Sequence, residues 1–336
     1  MIVDPEKITR FDLGGANIID LNWHPGLSAE LPQTNLLATV CSDNALVIWD
    51  VPTASIAHLQ YLEATTRAIA WSPNGQYLAV GNDLGVVQLY DNQLTLILEE
   101  DLHNDYIRAL SWSPNGRYLA TANDDRSTVI FDMSQKTIAA QLTGHEDWVR
   151  EVLWLDNTHL VTGADDASTI LWEWNASTAE AEQIRKLERI DGYHQTMAYM
   201  PQSRGGVLAI GSSSGKLALW DIEANWQVRL DTIFETSDPL NGMDWHPRGN
   251  GLTFNAYDVV PKNLGWGNVI APAYDGPNKS VRTVTVSDAV LGASGSITDY
   301  FYLPELEVEP YWFDQITWSA DERWLAVIQN AETGKR

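Results

Sequence analysis

Only one cysteine, Cys41, occurs among the 336 residues, so no internal disulfide can form. It sits in an apolar run and reads as a packed core thiol. Lysine is scarce too: seven Lys and 14 Arg face 45 acidic residues, for a formal net charge of −24. Such a surface repels phosphate backbones and anionic headgroups, so neither nucleic acid nor membrane is expected as a partner. Solubility is the bland account of the charge; a cationic partner or a saline habitat is the sharper one. No apolar run approaches the roughly 18 residues of a membrane-spanning helix. The opening MIVDPEKITRF has an early Asp-Pro-Glu and none of the apolar core of a signal peptide. The expectation is a cytoplasmic protein.

Reaction chemistry is missing as well. There is no H-E-x-x-H and no Cys/His spacing for a metal. There is no G-x-S-x-G elbow, no phosphate-cradling G-x-x-x-x-G-K-[ST], and no strand-linked G-x-G-x-x-G. The seven His are scattered, with His24 and His246 in Trp-His-Pro turns, and none has a partner set that suggests a charge relay. The reading is no catalytic residue, no metal and no cofactor, hence not an enzyme.

What is abundant is tryptophan, 15 in all, and it is periodic. Trp23, Trp71, Trp112, Trp154, Trp245 and Trp318, with Tyr199 in the same role, each end an apolar run. Around three of them the text nearly repeats: AIAWSPNGQYLAV, ALSWSPNGRYLAT and ITWSADERWLAV. Ser-Pro-Asn-Gly between two apolar runs is a hairpin turn, because Pro presets φ and Gly accepts φ > 0. A second run follows, then a turn rich in Gly and Asp. A third run closes on an aromatic, as in Trp49-Asp50, Tyr90-Asp91, Phe131-Asp132, Trp172-Glu173 and Trp220-Asp221. A fourth run completes the unit. Alternation at strand length dominates, so each repeat reads as four short antiparallel strands.

These markers, with Leu142-Thr-Gly-His145 and LVTGADDASTILW, make the chain resemble the WD-repeat β-propeller family over essentially its whole length. The resemblance implies an all-β fold: a single seven-bladed β-propeller of four-stranded antiparallel blades spanning 1–336. Blades would start near 18, 67, 107, 149, 195, 240 and 313. It also implies a structural network in blade four, His145, Thr162, Asp166 and Trp172, in which Asp accepts from the imidazole, the hydroxyl links Asp to His, and the indole N–H closes the set. Other blades keep fragments: His103, Thr121 and Asp125 with Phe131 in place of Trp; Thr39, Asp43 and Trp49 with no loop His. On this reading Asp124-Asp125 and Asp165-Asp166 are turn acids of the repeat.

The two ends look complementary. IVDPEKITRFDL matches the end of a third strand, a turn and a fourth strand, while the C-terminal AETGKR follows a second strand. Residues 1–13 are therefore expected to complete the last blade with 313–336, closing the ring and removing exposed edges; the alternative is a fragment whose final blade is completed downstream.

Three departures from the repeat carry the functional reading. Between Trp245 and Trp318 an insertion, 258–280, is expected as a loop between strands at 251–256 and 281–287. Two accounts stand, a packed insertion or channel cap, and a lid or partner-binding loop that includes Trp266. The segment from Leu303 to Gln315, with Tyr311 and Trp312 among its acids, reads as a link between blades six and seven suited to a cationic side chain. Third, Arg67, Arg108 and Arg150 each fall four residues before an aligned Trp, so three guanidiniums should lie side by side. They either pair with nearby acids such as Asp83, Asp105, Asp124 and Glu151, or hold a carboxylate or phosphate.

The function expected is a non-catalytic scaffold that binds a protein or peptide through the face implied as the top of the propeller. Arg67, Arg108, Arg150, Trp148, Trp266, Tyr311 and Trp312 are the candidate contacts. Two alternatives remain open: a small-anion-binding sensor or enzyme with its site over the central channel, and a sensor domain of a larger signalling or defence protein.

Overall fold

In the computed structural model the described residues are 16–26, 35–187, 191–201, 206–221, 228–236, 239–245, 247, 252–256, 259–260, 280–285, 296–301, 311–320 and 324–331. They fall into two compact units.

The first unit holds sixteen strands in four sheets. The first sheet is β1 (Ile18–Trp23), β2 (Leu36–Cys41), β3 (Ala45–Asp50) and β4 (Ser55–Tyr61). The second is β5 (Thr66–Trp71), β6 (Tyr77–Asn82), β7 (Val86–Asp91) and β8 (Leu96–Asp101). The third is β9 (Ile107–Trp112), β10 (Tyr118–Asn123), β11 (Ser127–Asp132) and β12 (Thr137–Thr143). The fourth is β13 (Val149–Trp154), β14 (His159–Ala164), β15 (Thr169–Asn175) and β16 (Glu180–Leu187). All neighbours are antiparallel, as short connections require.

The second unit holds β17 (His194–Met200), β18 (Val207–Ser212), β19 (Lys216–Asp221), β20 (Val228–Thr236), β21 (Met243–Trp245), β22 (Leu252–Ala256), β23 (Val259–Val260), β24 (Ser280–Thr285), β25 (Ser296–Phe301), β26 (Tyr311–Trp318) and β27 (Leu325–Ala331). Here the expectation of seven four-stranded blades is corrected. Five sheets have four strands: the four above and β21-β22-β24-β25. The sheet β17-β18-β19-β20 takes β23 as a fifth strand, and among the described residues β26 and β27 form a two-stranded sheet. Among the described residues the four-stranded blades therefore number five, not seven. The spacing of aromatics reports the first strand of each repeat and is blind to how many partners line up behind it. The partners expected for β26 and β27 fall on residues 1–13, which lie outside the described residues, as does the expected closure of the ring by the two ends.

The β23 pairing, Glu235 with Val260 and Thr236 with Val259, comes from the start of the insertion at 258–280. The insertion thus begins by covering the outer edge of a sheet. Its flanking strands, β22 and β24, pair directly.

Within each unit the core lies between successive sheets. Ala38, Val40, Leu46 and Ile48 pack on Ile69, Trp71, Leu78, Val80 and Tyr90; Ala120, Ala122 and Ile130 pack on Val152, Trp154, Leu160 and Ile170. Leu46 and Ile48 are fully buried, so truncating either to Ala costs about 2–5 kcal/mol. In the second unit Ala198, Ala209 and Leu219 pack on Met243, Trp245 and Phe254.

Within each unit the first strands of successive sheets lie side by side, each at the end of its own sheet. At β5, β13 and β26 a polar side chain on the preceding first strand accepts from that edge, while Trp112 of β9 and Trp245 of β21 reach back with their indole N–H to the Ala70 and Ala198 carbonyls. Asp20 Oδ2 accepts from Ile69 N–H at 2.7 Å, Asn22 Oδ1 from Trp71 N–H at 2.9 Å, and Ser111 Oγ from Trp154 N–H at 3.0 Å. Asp244 Oδ2 accepts from Trp318 N–H at 2.8 Å and the Thr317 hydroxyl at 3.0 Å. Burial pushes the Asp244 carboxyl up to about 6, against the pull of those donors and the Trp245 N–H.

The Ser-Pro-Asn-Gly turn also fixes a contact between sheets. Gly75 has φ +67°, and a Cβ there would come within 2.5 Å of the His24 ring, whose Nε2 bonds the Gly75 carbonyl at 2.9 Å.

Candidate functional site

Arg67, Arg108 and Arg150 share one backbone peculiarity. In the β5–β6 register Thr66 opposes Asn82 and Ala68 opposes Gly81, so Arg67 is the extra residue of a β-bulge. Arg108 and Arg150 occupy the same bulge at the starts of β9 and β13. A bulge re-aims a side chain out of the ordinary alternation, and repetition in adjacent sheets sends all three guanidiniums the same way. Ile19 and Gln195 hold the corresponding bulges of β1 and β17.

Two residues before each Arg stands the residue whose carbonyl receives the turn N–H: Thr65 from Asp83, Tyr106 from Asp124, Trp148 from Asp165. The rings at these positions interleave with the arginines. Arg67 lies 4.9 Å from the Tyr106 centroid, and Arg108 lies 5.5 Å from Tyr106 and 5.6 Å from Trp148. Arg150 lies 5.4 Å from Trp148. The result is a row, Arg67–Tyr106–Arg108–Trp148–Arg150, held by cation–π contact along its length. Its rings remain accessible, Tyr106 at 37% and Trp148 at 43% exposure.

Acids hold the row from behind. Arg108 donates from Nε and Nη2 to the two oxygens of Asp124 at 2.7 and 2.5 Å. Arg150 grips Asp165 in the same way at 2.7 and 2.6 Å, and these bonds hold the Arg150 guanidinium above its ordinary value. Asp124 and Asp165 side chains are 3% and 9% exposed, so each fork is anchored on a buried carboxylate. Arg67 has no such partner among the described residues, and its buried Nε makes no hydrogen bond.

The structure therefore gathers Arg67, Arg108, Arg150 and Trp148 at one surface and adds Tyr106, which sequence reasoning passed over. The available signal was its position, two residues before Arg108 as Trp148 is before Arg150. Trp266 lies outside the described residues. Tyr311 and Trp312 are the first residues of β26, paired with Ala331 and Asn330, so the expected link between blades ends where they begin.

Behind this surface, His145, Thr162, Asp166 and Trp172 are hydrogen-bonded, with one change of connectivity from the expected network. Thr162 Oγ1 sits between His145 Nε2 at 2.7 Å and Trp172 Nε1 at 2.9 Å, so the hydroxyl joins imidazole to indole. Ser168 links carboxylate to imidazole, 2.6 Å from Asp166 and 3.1 Å from His145 Nδ1. Burial works to raise the Asp166 carboxyl, but His145, Ser168 and two backbone N–H groups outweigh it and hold it well below the usual carboxylate range. The third sheet repeats the arrangement with His103, Thr121, Asp125 and Ser127. There burial is again outweighed, and Asp125 is brought down to about 2. With Phe131 in place of the indole, Thr121 turns to the Val129 carbonyl at 3.4 Å. A satisfied polar set of this depth rigidifies the sheets under the row. Among the described residues no cluster of His, Cys, Asp and Glu could hold a metal ion.

The family model for the WD domain, G-beta repeat, matches residues 56–91, 95–132 and 136–173. Those residues carry WD40 repeats. Each matched repeat starts within one residue of the start of the fourth strand of one sheet and ends in the third strand of the next, so the WD40 unit itself ties neighbouring sheets together. Human Gem-associated protein 5 is 28% identical over 213 residues, which cover 59% of this chain and 12% of that protein. A solved structure titled "Structure of U3-55K" aligns with a TM-score of 0.72 at 14% identity, covering 98% of this chain and 93% of that one. That likeness shows the fold alone, an all-β propeller.

Proposed function

We propose that this WD40-repeat chain is a non-catalytic scaffold that binds a protein or peptide at the surface where β5, β9 and β13 begin. WD40 propellers generally bind proteins, and their families are typically non-catalytic. The observation that carries the reading here is the alternating row of Arg67, Tyr106, Arg108, Trp148 and Arg150. Tyr, Trp and Arg are the side chains that concentrate binding energy at protein interfaces. The two rings are sandwiched or flanked by guanidiniums, so little rotamer freedom remains to lose on binding. The small-anion alternative is weaker for a specific reason. Arg108 and Arg150 already spend their forks on Asp124 and Asp165, so the three arginines do not form a shared cradle. Nucleic acid is set aside on the net charge of −24.

Affinity capture with wild type, Y106A and W148A, analysed by mass spectrometry, tests the proposal. At least one captured protein should be lost from both variants. Retention of every captured protein by both would rule this surface out as the interface.

A further inference from the structure

We infer that Arg67 is an open carboxylate-binding position, and that the partner inserts an Asp or Glu side chain of a peptide segment there. This rests on the scaffold reading and names the chemistry of its anchor.

Three comparisons within the row lead to it. First, Nε of Arg108 and Nε of Arg150 each donate to a carboxylate oxygen at 2.7 Å, while the same atom of Arg67 is buried with no acceptor. The counterparts show which acceptor this backbone geometry favours; with Nε closed off, the terminal Nη groups of Arg67 are the donors an incoming carboxylate meets. Second, Asp83 stands where Asp124 and Asp165 stand, its N–H donating to Thr65 O at 2.9 Å as theirs donate to Tyr106 O and Trp148 O. Even so, Arg67 turns to the Tyr106 ring of the next sheet and forms no ion pair with Asp83. Third, Arg108 has a ring on both sides, Tyr106 and Trp148, but Arg67 has Tyr106 on one side and Thr65 at the ring position on the other. The row is open at its Arg67 end. A planar carboxylate fits a guanidinium fork that already has one face covered by an aromatic. The chain's formal net charge of −24 favours a single acid on an otherwise neutral or basic segment over a polyanion.

The test is selection of a random dodecapeptide phage library on the wild-type chain. Affinities of the selected synthetic peptides are then measured for wild type, R67Q and R117Q. Arg117 pairs with Asp132 at the far ends of the strands and serves as the charge-matched control. Selected peptides should share one Asp or Glu, and changing that residue to Asn or Gln should weaken binding about tenfold or more. R67Q should show the same loss with the parent peptide and no further loss with the amidated one, while R117Q should bind as wild type does. A ten-residue oligouridylate should not compete. Selection without a shared acid, equal affinity of R67Q and wild type, or displacement of the peptide by the oligouridylate would each overturn the inference. The first two outcomes leave the scaffold reading intact if Y106A or W148A still abolishes capture. Unchanged capture by both variants brings down the scaffold reading itself. Matching thermal midpoints for R67Q and wild type exclude misfolding as the cause of a loss.

Discussion

Arg108 and Asp124 meet across the β9–β10 ladder as two parallel hydrogen bonds, with the arginine 20% exposed and the acid 3%. The pair belongs at once to the fold and to the row of rings in front of it. Removing the acid strands a partly buried guanidinium, so D124N should lower stability by about 2 kcal/mol. A double-mutant cycle with R108Q, read by urea unfolding, should give a coupling of about 1–2 kcal/mol. A coupling indistinguishable from zero would show that the fork adds nothing beyond side-chain packing.

The Thr162 hydroxyl is the hinge of the network in the fourth sheet, because both His145 and Trp172 bond to it. T162V leaves two buried groups without a partner and should cost about 2–3 kcal/mol. T39V removes the bond from Trp49 but touches no imidazole, and should cost about 1 kcal/mol. Parallel thermal unfolding of the two variants checks the ranking; equal losses would mean that the imidazole contributes nothing to the network.

Much of this architecture is legible in the amino-acid sequence. The aligned Trp residues mark the first strands, and their four-residue offset to Arg67, Arg108 and Arg150 puts three guanidiniums on one surface. Side-chain type does not tell that two of them are forked by acids and one is not. That depends on the bulge register at Thr66–Ala68 and its equivalents, which is a property of strand pairing. Asp165 looks like a turn acid because its neighbour Asp166 is one, yet Asp165 takes the Arg150 fork while Asp166 bonds His145 and Ser168. Asn22, Ser111 and Asp244 sit one residue before an aligned Trp, a recurrent polar break in apolar strands that signals the stitching between sheets. The count of four-stranded blades is beyond the pattern, since nothing in the aromatic spacing marks β23 as a fifth strand or says how many partners β26 has.

Ala167 adopts φ +61° at the turn between β14 and β15, where Gly85 and Gly215 occupy the same place in other sheets. The left-handed region costs a residue with a Cβ about 1 kcal/mol, and Gly gives back part of that through the entropy of the unfolded chain. A167G should therefore raise the unfolding free energy by a few tenths of a kcal/mol, measured against A70G, a buried strand position with no positive φ, which should lower it. A loss of stability in A167G would show that the turn is held by its Ala methyl group.

Two carboxyls should pull the pH dependence of stability in opposite directions. Asp125 is depressed to about 2, so its contribution is present above the ordinary carboxylate value and is lost as pH falls from about 4 towards 2. D125N should remove about 2 kcal/mol of the difference in stability between pH 7 and pH 2. Asp244 is raised to about 6, so the folded state binds its proton more tightly than the unfolded chain does. Stability from this group is fully present below the ordinary carboxylate value, falls as pH rises between about 4 and 6, and stays reduced above that. In D244N the amide oxygen can still accept from Trp318 N–H and the Thr317 hydroxyl, but the ionisation is gone. Denaturant titrations at pH 4 and pH 7 should show the variant losing less stability over that interval than wild type, by at most about 3 kcal/mol. Identical pH profiles would mean that Asp244 titrates as it does in water and that its bonds to β26 are not made in solution.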